Sequence, residues 1–141
     1  MRIWRPKKVI EVKALGLVWR RGRLLAREIS RGDGSVKGVR PLGGRPEFCG
    51  TWRTALVREF WEALKGRVDI IGDPIFLESI YTHPGAVGYE MGVLSDVLFP
   101  DVAHRDHEVI EYHEDNGAPC RARWYDCDHL DRGGLALCPR G

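Results

Sequence analysis

The chain has 141 residues, of which 43% are hydrophobic and 30% charged, and its net charge is +2. These are the proportions of an ordinary soluble domain with its own core, and they do not mark nucleic acid as the partner. The basic start MRIWRPKK is followed by no apolar stretch long enough for a signal peptide or a membrane span. The cytoplasm is therefore the expected compartment, with no membrane partner, and the basic tip reads as a solvated tail. Cys49, Cys120, Cys127 and Cys138 contain no CxxC pair. Cys120, Cys127 and His129 could meet in space, but their spacing matches no zinc pattern, so reduced structural thiols are expected.

Residues 9–20, VIEVKALGLVWR, are rich in apolar and β-branched side chains and predict a strand. RGR turns it into LLAREIS (24–30), a hairpin, and RGDGS (31–35) is a turn cluster. KGVRPLGG (37–44) predicts a short strand ending in glycine. Residues 68–82 predict a strand broken at Gly72-Asp73-Pro74, and residues 86–99 another long strand. Residues 100–117 are polar and loop-like, 118–127 form a last strand, and DHLDRGG opens a short helix or turn. No repeat, low-complexity tract or linker interrupts the chain, so the expectation is one α+β domain over residues 1–141.

The helix lies at 51–65. Ala55, Leu56, Phe60 and Leu64 recur at helical spacing, with Val57 and Trp61 widening the apolar stripe. Thr51 is the expected N-cap and Gly66 the stop. Steps of three and four bring Glu59 and Glu62 to one face, and Arg58 can reach Glu62 at i+4. Such a pair on a solvated face contributes only ~0.3–0.5 kcal/mol. Two converging carboxylates also suit a hard divalent cation, with Gly43 and Gly44 letting backbone come close to a ligand.

The stretch LGGRPEFCGTWRTALVREFWEALKG, residues 42–66, resembles a Nudix box. Gly44 matches its first glycine, and Arg58, Glu59, Phe60 and Glu62 fall in register; Glu47, Thr51, Ala55 and Leu56 match residues common in the family. Gly50 and Ala63 stand where two of the family's glutamates belong, and Lys65 replaces a glycine displaced to Gly66. FLESIYTHPGAVGYEMGVLSDVLF and ARWYDCDHLDRGGLALCPRG are similar to a bacterial Nudix subgroup. The resemblance spans residues 9–141, and it implies that the chain ends just before the family's C-terminal helix.

The resemblance implies an α/β/α sandwich, a mixed β-sheet flanked by helices. It also implies a hydrolase that cleaves the diphosphate of a nucleoside diphosphate linked to another moiety, with Mg²⁺ or Mn²⁺ as cofactor. Carried over, Glu59 and Glu62 are metal ligands together with the Gly43 carbonyl. Glu59 is also the base for the attacking water, and Arg58 orients the carboxylates. A further glutamate often assists in the family; Glu108, Glu111, Glu114 and Glu90 are the candidates. Substrate contacts are expected from Arg45, Glu90, Arg27 and Arg40, because alternate strand positions point the same way and Arg45 follows the glycines. Phe48, Trp52, Tyr81 and Tyr89 are candidates for stacking a base, whereas Trp61 and Trp124 are expected to be buried. The partner implied is a small-molecule nucleotide or phosphorylated metabolite, and a homodimer is left open. The losses at Gly50 and Ala63 support a second reading, a domain that binds such a ligand as a sensor or scaffold with little turnover.

Overall fold

The computed structural model describes residues 5–30, 36–83, 85–99, 108–113, 117–126 and 136–137. Its strands are β1 (Ile10–Leu17), β2 (Trp19–Arg20), β3 (Arg23–Ser30), β4 (Val36–Gly44), β5 (Asp69–His83), β6 (Ala86–Leu98), β7 (Val109–His113), β8 (Pro119–Asp126) and β9 (Ala136–Leu137). One helix, α1 (Trp52–Leu64), is present among the described residues. The sheet runs β5-β6-β1-β4-β3-β8-β7, with β2 on β3 and β9 on β4. β1 pairs with β6, and β4 with β9, in parallel; the other pairs are antiparallel, so the sheet is mixed.

β4 joins the two halves of this sheet. Its Leu42–Gly44 end pairs with β1, and its earlier part, through Pro41, pairs with β3. The expected hairpin between residues 9–20 and 24–30 is correspondingly short. Only Trp19 and Arg20 pair with β3, around Arg21 and Gly22 at φ 51 and 77. Both turn residues at positive φ make the turn whose twist suits a hairpin. β1 itself departs to the other half, between β6 and β4.

Two other expectations are corrected. Gly72-Asp73-Pro74 does not break the strand: β5 continues, with a register shift between Ile71 (opposite Asp96) and Ile75 (opposite Leu94). Gly72 at φ 77 absorbs the bend, so the proline sits in a bulge instead of the ladder. Residues 100–117 are not all loop, because Val109–His113 forms β7 against β8. Ile110 and Tyr112 are buried and Glu111 and His113 exposed, a period of two hidden by polar neighbours. The DHLDRGG segment, Cys127 and His129 lie outside the described residues.

α1 forms as its pattern predicts. Thr51 Oγ1 accepts from the Thr54 amide at 3.1 Å, and Ala55, Leu56, Phe60 and Leu64 are buried. The helix stops one residue earlier than expected. Lys65, not glycine, takes the left-handed conformation at φ 55 and donates its amide to the Trp61 carbonyl at 2.9 Å. Trp61 is 59% exposed, a correction to its expected burial, because it follows Phe60 by one position and turns to the solvent side. Trp124 is buried as expected. Phe60 anchors the helix on the sheet: its ring lies over Gly16 and 6.2 Å from the Phe99 ring.

Candidate active site

A cavity of ≈ 330 Å³ opens where β4 passes between the two halves of the sheet. β1 contributes Lys13 and Leu15, β3 contributes Arg27, and β4 contributes Arg40, Pro41, Gly43 and Gly44. Arg45 follows at the rim. α1 supplies Glu59, Glu62 and Ala63, and β7 closes the cavity with Tyr112 and His113. The helix spacing of three accounts for the two acids on one wall. Strand pairing accounts for the opposite wall, since Arg27 and Arg40 are direct cross-strand partners.

The glycines are explained by packing. A side chain at Gly43 would run into the Ala14 carbonyl across the β1–β4 pair. A Cβ at Gly44 would stand 2.5 Å from the Glu59 carboxyl carbon, so this glycine makes room for the carboxylate against the strand.

Arg58 does not pair with Glu62. Its Nη2 donates to the Arg45 carbonyl at 3.1 Å and approaches Glu59 Oε1 at 3.6 Å, and its Nη1 lies 3.4 Å from Glu47 Oε1. Arg58 thus fastens the loop after β4 to the helix beside Glu59. Glu62 has no hydrogen bond or ion pair among the described residues. Arg45 is mostly exposed and pairs with Glu11 at 3.2 Å.

Glu90 sits beneath the cationic wall. It is 4% exposed, receives a hydrogen bond from Arg40 Nη2 at 2.6 Å and lies 3.5 Å from Lys13 Nζ. It is not among the residues lining the cavity, although both its partners are. Lys13 was not anticipated from sequence. The signal was a pair of charges, Glu11 and Lys13, on alternate positions of an otherwise apolar strand. Burial holds the Lys13 ammonium below the usual lysine range; the nearby Arg40 charge pushes in the same direction, and Glu90 opposes both.

The remaining candidates lie elsewhere. Glu108 pairs with Arg20 and Glu111 with Arg121, both at 3.6 Å, and neither lines the cavity. Glu114 lies outside the described residues. Phe48 is 99% exposed on the loop before α1, and Tyr89 donates its hydroxyl to Glu78. Arg53 stacks on Trp52, with its guanidinium 4.4 Å from the ring centroid.

Solved structures share this architecture. The chain is similar to the solution structure of the E. coli ORF135 protein at a TM-score of 0.62 and 18% identity, covering 92% of this chain and 81% of that one. A NUDIX hydrolase from Nitrosomonas europaea aligns at 0.53 and 16% identity, over 91% and 77% of the two chains. The fold is the Nudix fold. A MutT NUDIX hydrolase from Burkholderia pseudomallei aligns over 86% of each chain at 0.52 and 13% identity. No family model and no curated protein matches the chain by sequence. Among the described residues no helix is long and apolar enough to cross a membrane.

Nudix hydrolases generally use a divalent metal. Among the described residues no group of three His, Cys, Asp or Glu side chains gathers. The cavity offers two carboxylates, Glu59 and Glu62, beside the Gly43 main chain. That set fits Mg²⁺, which keeps several waters and is held by one or two carboxylates together with substrate phosphate oxygens.

Proposed function

We propose that this chain is a divalent-metal-dependent hydrolase that cleaves the diphosphate of a nucleoside diphosphate linked to another moiety. The observation that carries the proposal is the polarity of one cavity: Glu59 and Glu62 on the helix wall, Lys13, Arg27 and Arg40 on the strand wall. A diphosphate held with a cation needs both, carboxylates for the ion and basic groups for the phosphate oxygens. Mg²⁺ or Mn²⁺, when bound, neutralises the phosphate oxygens and makes phosphorus attackable.

The protein's own groups do the rest. Glu59 and Glu62, with the Gly43 carbonyl, would hold the ion. Glu59 Oε accepts the proton of the water that attacks phosphorus. Arg58 fixes the Glu59 carboxylate and the loop after β4 in one arrangement. Lys13, Arg27 and Arg40 bind and orient the phosphate chain, with Arg45 at the rim.

A second reading has its own observation. Ala63 lines the cavity beside Glu62, at the position where the family's box carries a further glutamate. A site one carboxylate short binds a hard cation more weakly, which favours a domain that holds a nucleotide or phosphorylated metabolite and turns it over little. The two readings part in one assay. Phosphate release is followed with Mg²⁺ or Mn²⁺ over a panel of nucleoside diphosphate compounds that includes ADP-ribose, beside calorimetric binding of the same compounds. Release that disappears in Glu59→Gln supports the hydrolase. Binding without release at any metal concentration supports the sensor, and neither binding nor release removes both.

A further inference from the structure

Glu90 is a buried carboxylate that the reaction does not use. It is bracketed by Lys13 Nζ at 3.5 Å and Arg40 Nη2 at 2.6 Å. A carboxylate already engaged by two cations and closed off from the cavity is poorly placed to ligate a metal or touch substrate. Its two partners, by contrast, both line the cavity.

We propose that Lys13 and Arg40 form an anion clamp, aligned from beneath by Glu90, that binds phosphate oxygens without any divalent ion. Glu90 is then a positioning residue and Lys13 a binding residue.

Three observations support the clamp. The Arg40 Nε is shielded from solvent and has no hydrogen-bond acceptor among the described residues. A buried donor left unmade is unfavourable, so Glu90 alone does not satisfy the Arg40 guanidinium. Secondly, Lys13 and Arg40 set two positive charges against the one carboxylate, Glu90, that pairs with both. This wall keeps a net positive charge, which an incoming anion would neutralise. Thirdly, Glu90 is on β6, Lys13 on β1 and Arg40 on β4, three neighbouring strands of one sheet. A rigid sheet holds the two donors at fixed separation, which reduces the ordering needed on binding. Burial first, and then the Arg40 charge, holds the lysine pKa below its usual range.

The choice of a phosphate as the anion rests on the diphosphate reading above; the clamp itself does not require turnover. The test uses the full chain in EDTA, titrated with inorganic pyrophosphate by calorimetry, and Mn²⁺ binding is measured separately without pyrophosphate. Wild type should bind pyrophosphate with no metal present. Lys13→Met should weaken that binding about tenfold or more, the loss of one charge-assisted contact, and should leave Mn²⁺ binding in place. Glu90→Gln should weaken pyrophosphate binding as well, and Glu90→Asp should restore part of it, which a residue needed only for folding would not do. If the Glu90 variants do not fold, Lys13→Met decides alone, because Lys13 lies at the cavity wall. Wild type that ignores pyrophosphate in EDTA, or Lys13→Met that binds it as well as wild type, overturns the clamp. Glu59→Gln separates the two proposals: loss of Mn²⁺ with pyrophosphate binding retained supports both, while Mn²⁺ binding equal to wild type removes the metal role and leaves the clamp standing.

Discussion

Gly44 and Glu59 are packed so closely that a single added carbon on the strand would stand 2.5 Å from the carboxyl carbon on the helix. The glycine therefore decides where that carboxylate can be. Gly44→Ala should displace Glu59 and weaken Mn²⁺ binding about tenfold, with a modest change in stability, because the neighbour it strikes is a movable side chain. Gly43→Ala strikes the Ala14 main chain instead. It should lower stability by about 2 kcal/mol or more, since backbone cannot step aside. Denaturant unfolding and Mn²⁺ titration of both variants read the contrast; equal effects of the two on stability would contradict it.

Phe60 and Trp61 should behave oppositely on truncation. Phe60 is 1% exposed, over Gly16 and beside Phe99. Phe60→Ala should destabilise by about 3–5 kcal/mol through lost burial and the cavity left behind. Trp61 is largely in solvent, and Trp61→Ala should change stability by less than about 0.5 kcal/mol. Urea unfolding distinguishes them, and a large loss at Trp61 would mean that a surface partner covers it.

Ala63 can be returned to an acid. Ala63→Glu puts a carboxylate on the cavity wall next to Glu62 and should lower the Mg²⁺ or Mn²⁺ concentration for half-maximal binding. Helix propensity changes little between the two residues. Glu62→Gln should raise that concentration. Metal calorimetry on wild type and both variants, with phosphate release followed in parallel, makes the comparison; three identical titrations would remove Glu62 from the ligand set.

Lys13 predicts a pH dependence. Burial, then Arg40, holds its folded pKa below the unfolded value of 10.5, with Glu90 offsetting part of the shift and Arg27 adding to it. Between the folded and unfolded values the unfolded chain carries a proton that the folded chain has released, so stability rises with pH across that window. The contribution is complete above the unfolded pKa and is lost as pH falls through the folded one. Lys13→Met removes it. The stability of wild type relative to Lys13→Met, from urea unfolding between pH 7 and 10, should therefore grow as pH rises, and a flat difference would contradict the shift.

Local chemistry was enough to read the helix and its two acids. The spacing of Ala55, Leu56, Phe60 and Leu64 dictates which face is buried, and Glu59 and Glu62 then follow by geometry on one element. Gly43 and Gly44 could be recognised as special, but not why: the Ala14 main chain and the Glu59 carboxyl that exclude a Cβ come from a distant strand and a later helix. The departure of β1 from β3, the bulge at Gly72 and the strand at Val109 were decided by pairing partners far along the chain, which local propensity does not encode. The same holds for the cationic wall. Lys13, Arg27, Arg40 and Glu90 are scattered over 78 positions of sequence, and only the order β6-β1-β4-β3 brings them side by side. Sequence by itself determined that Glu59 and Glu62 share one helix face; the tertiary structure decided which basic residues face them, because strand neighbours are set by long-range hydrogen bonding and burial.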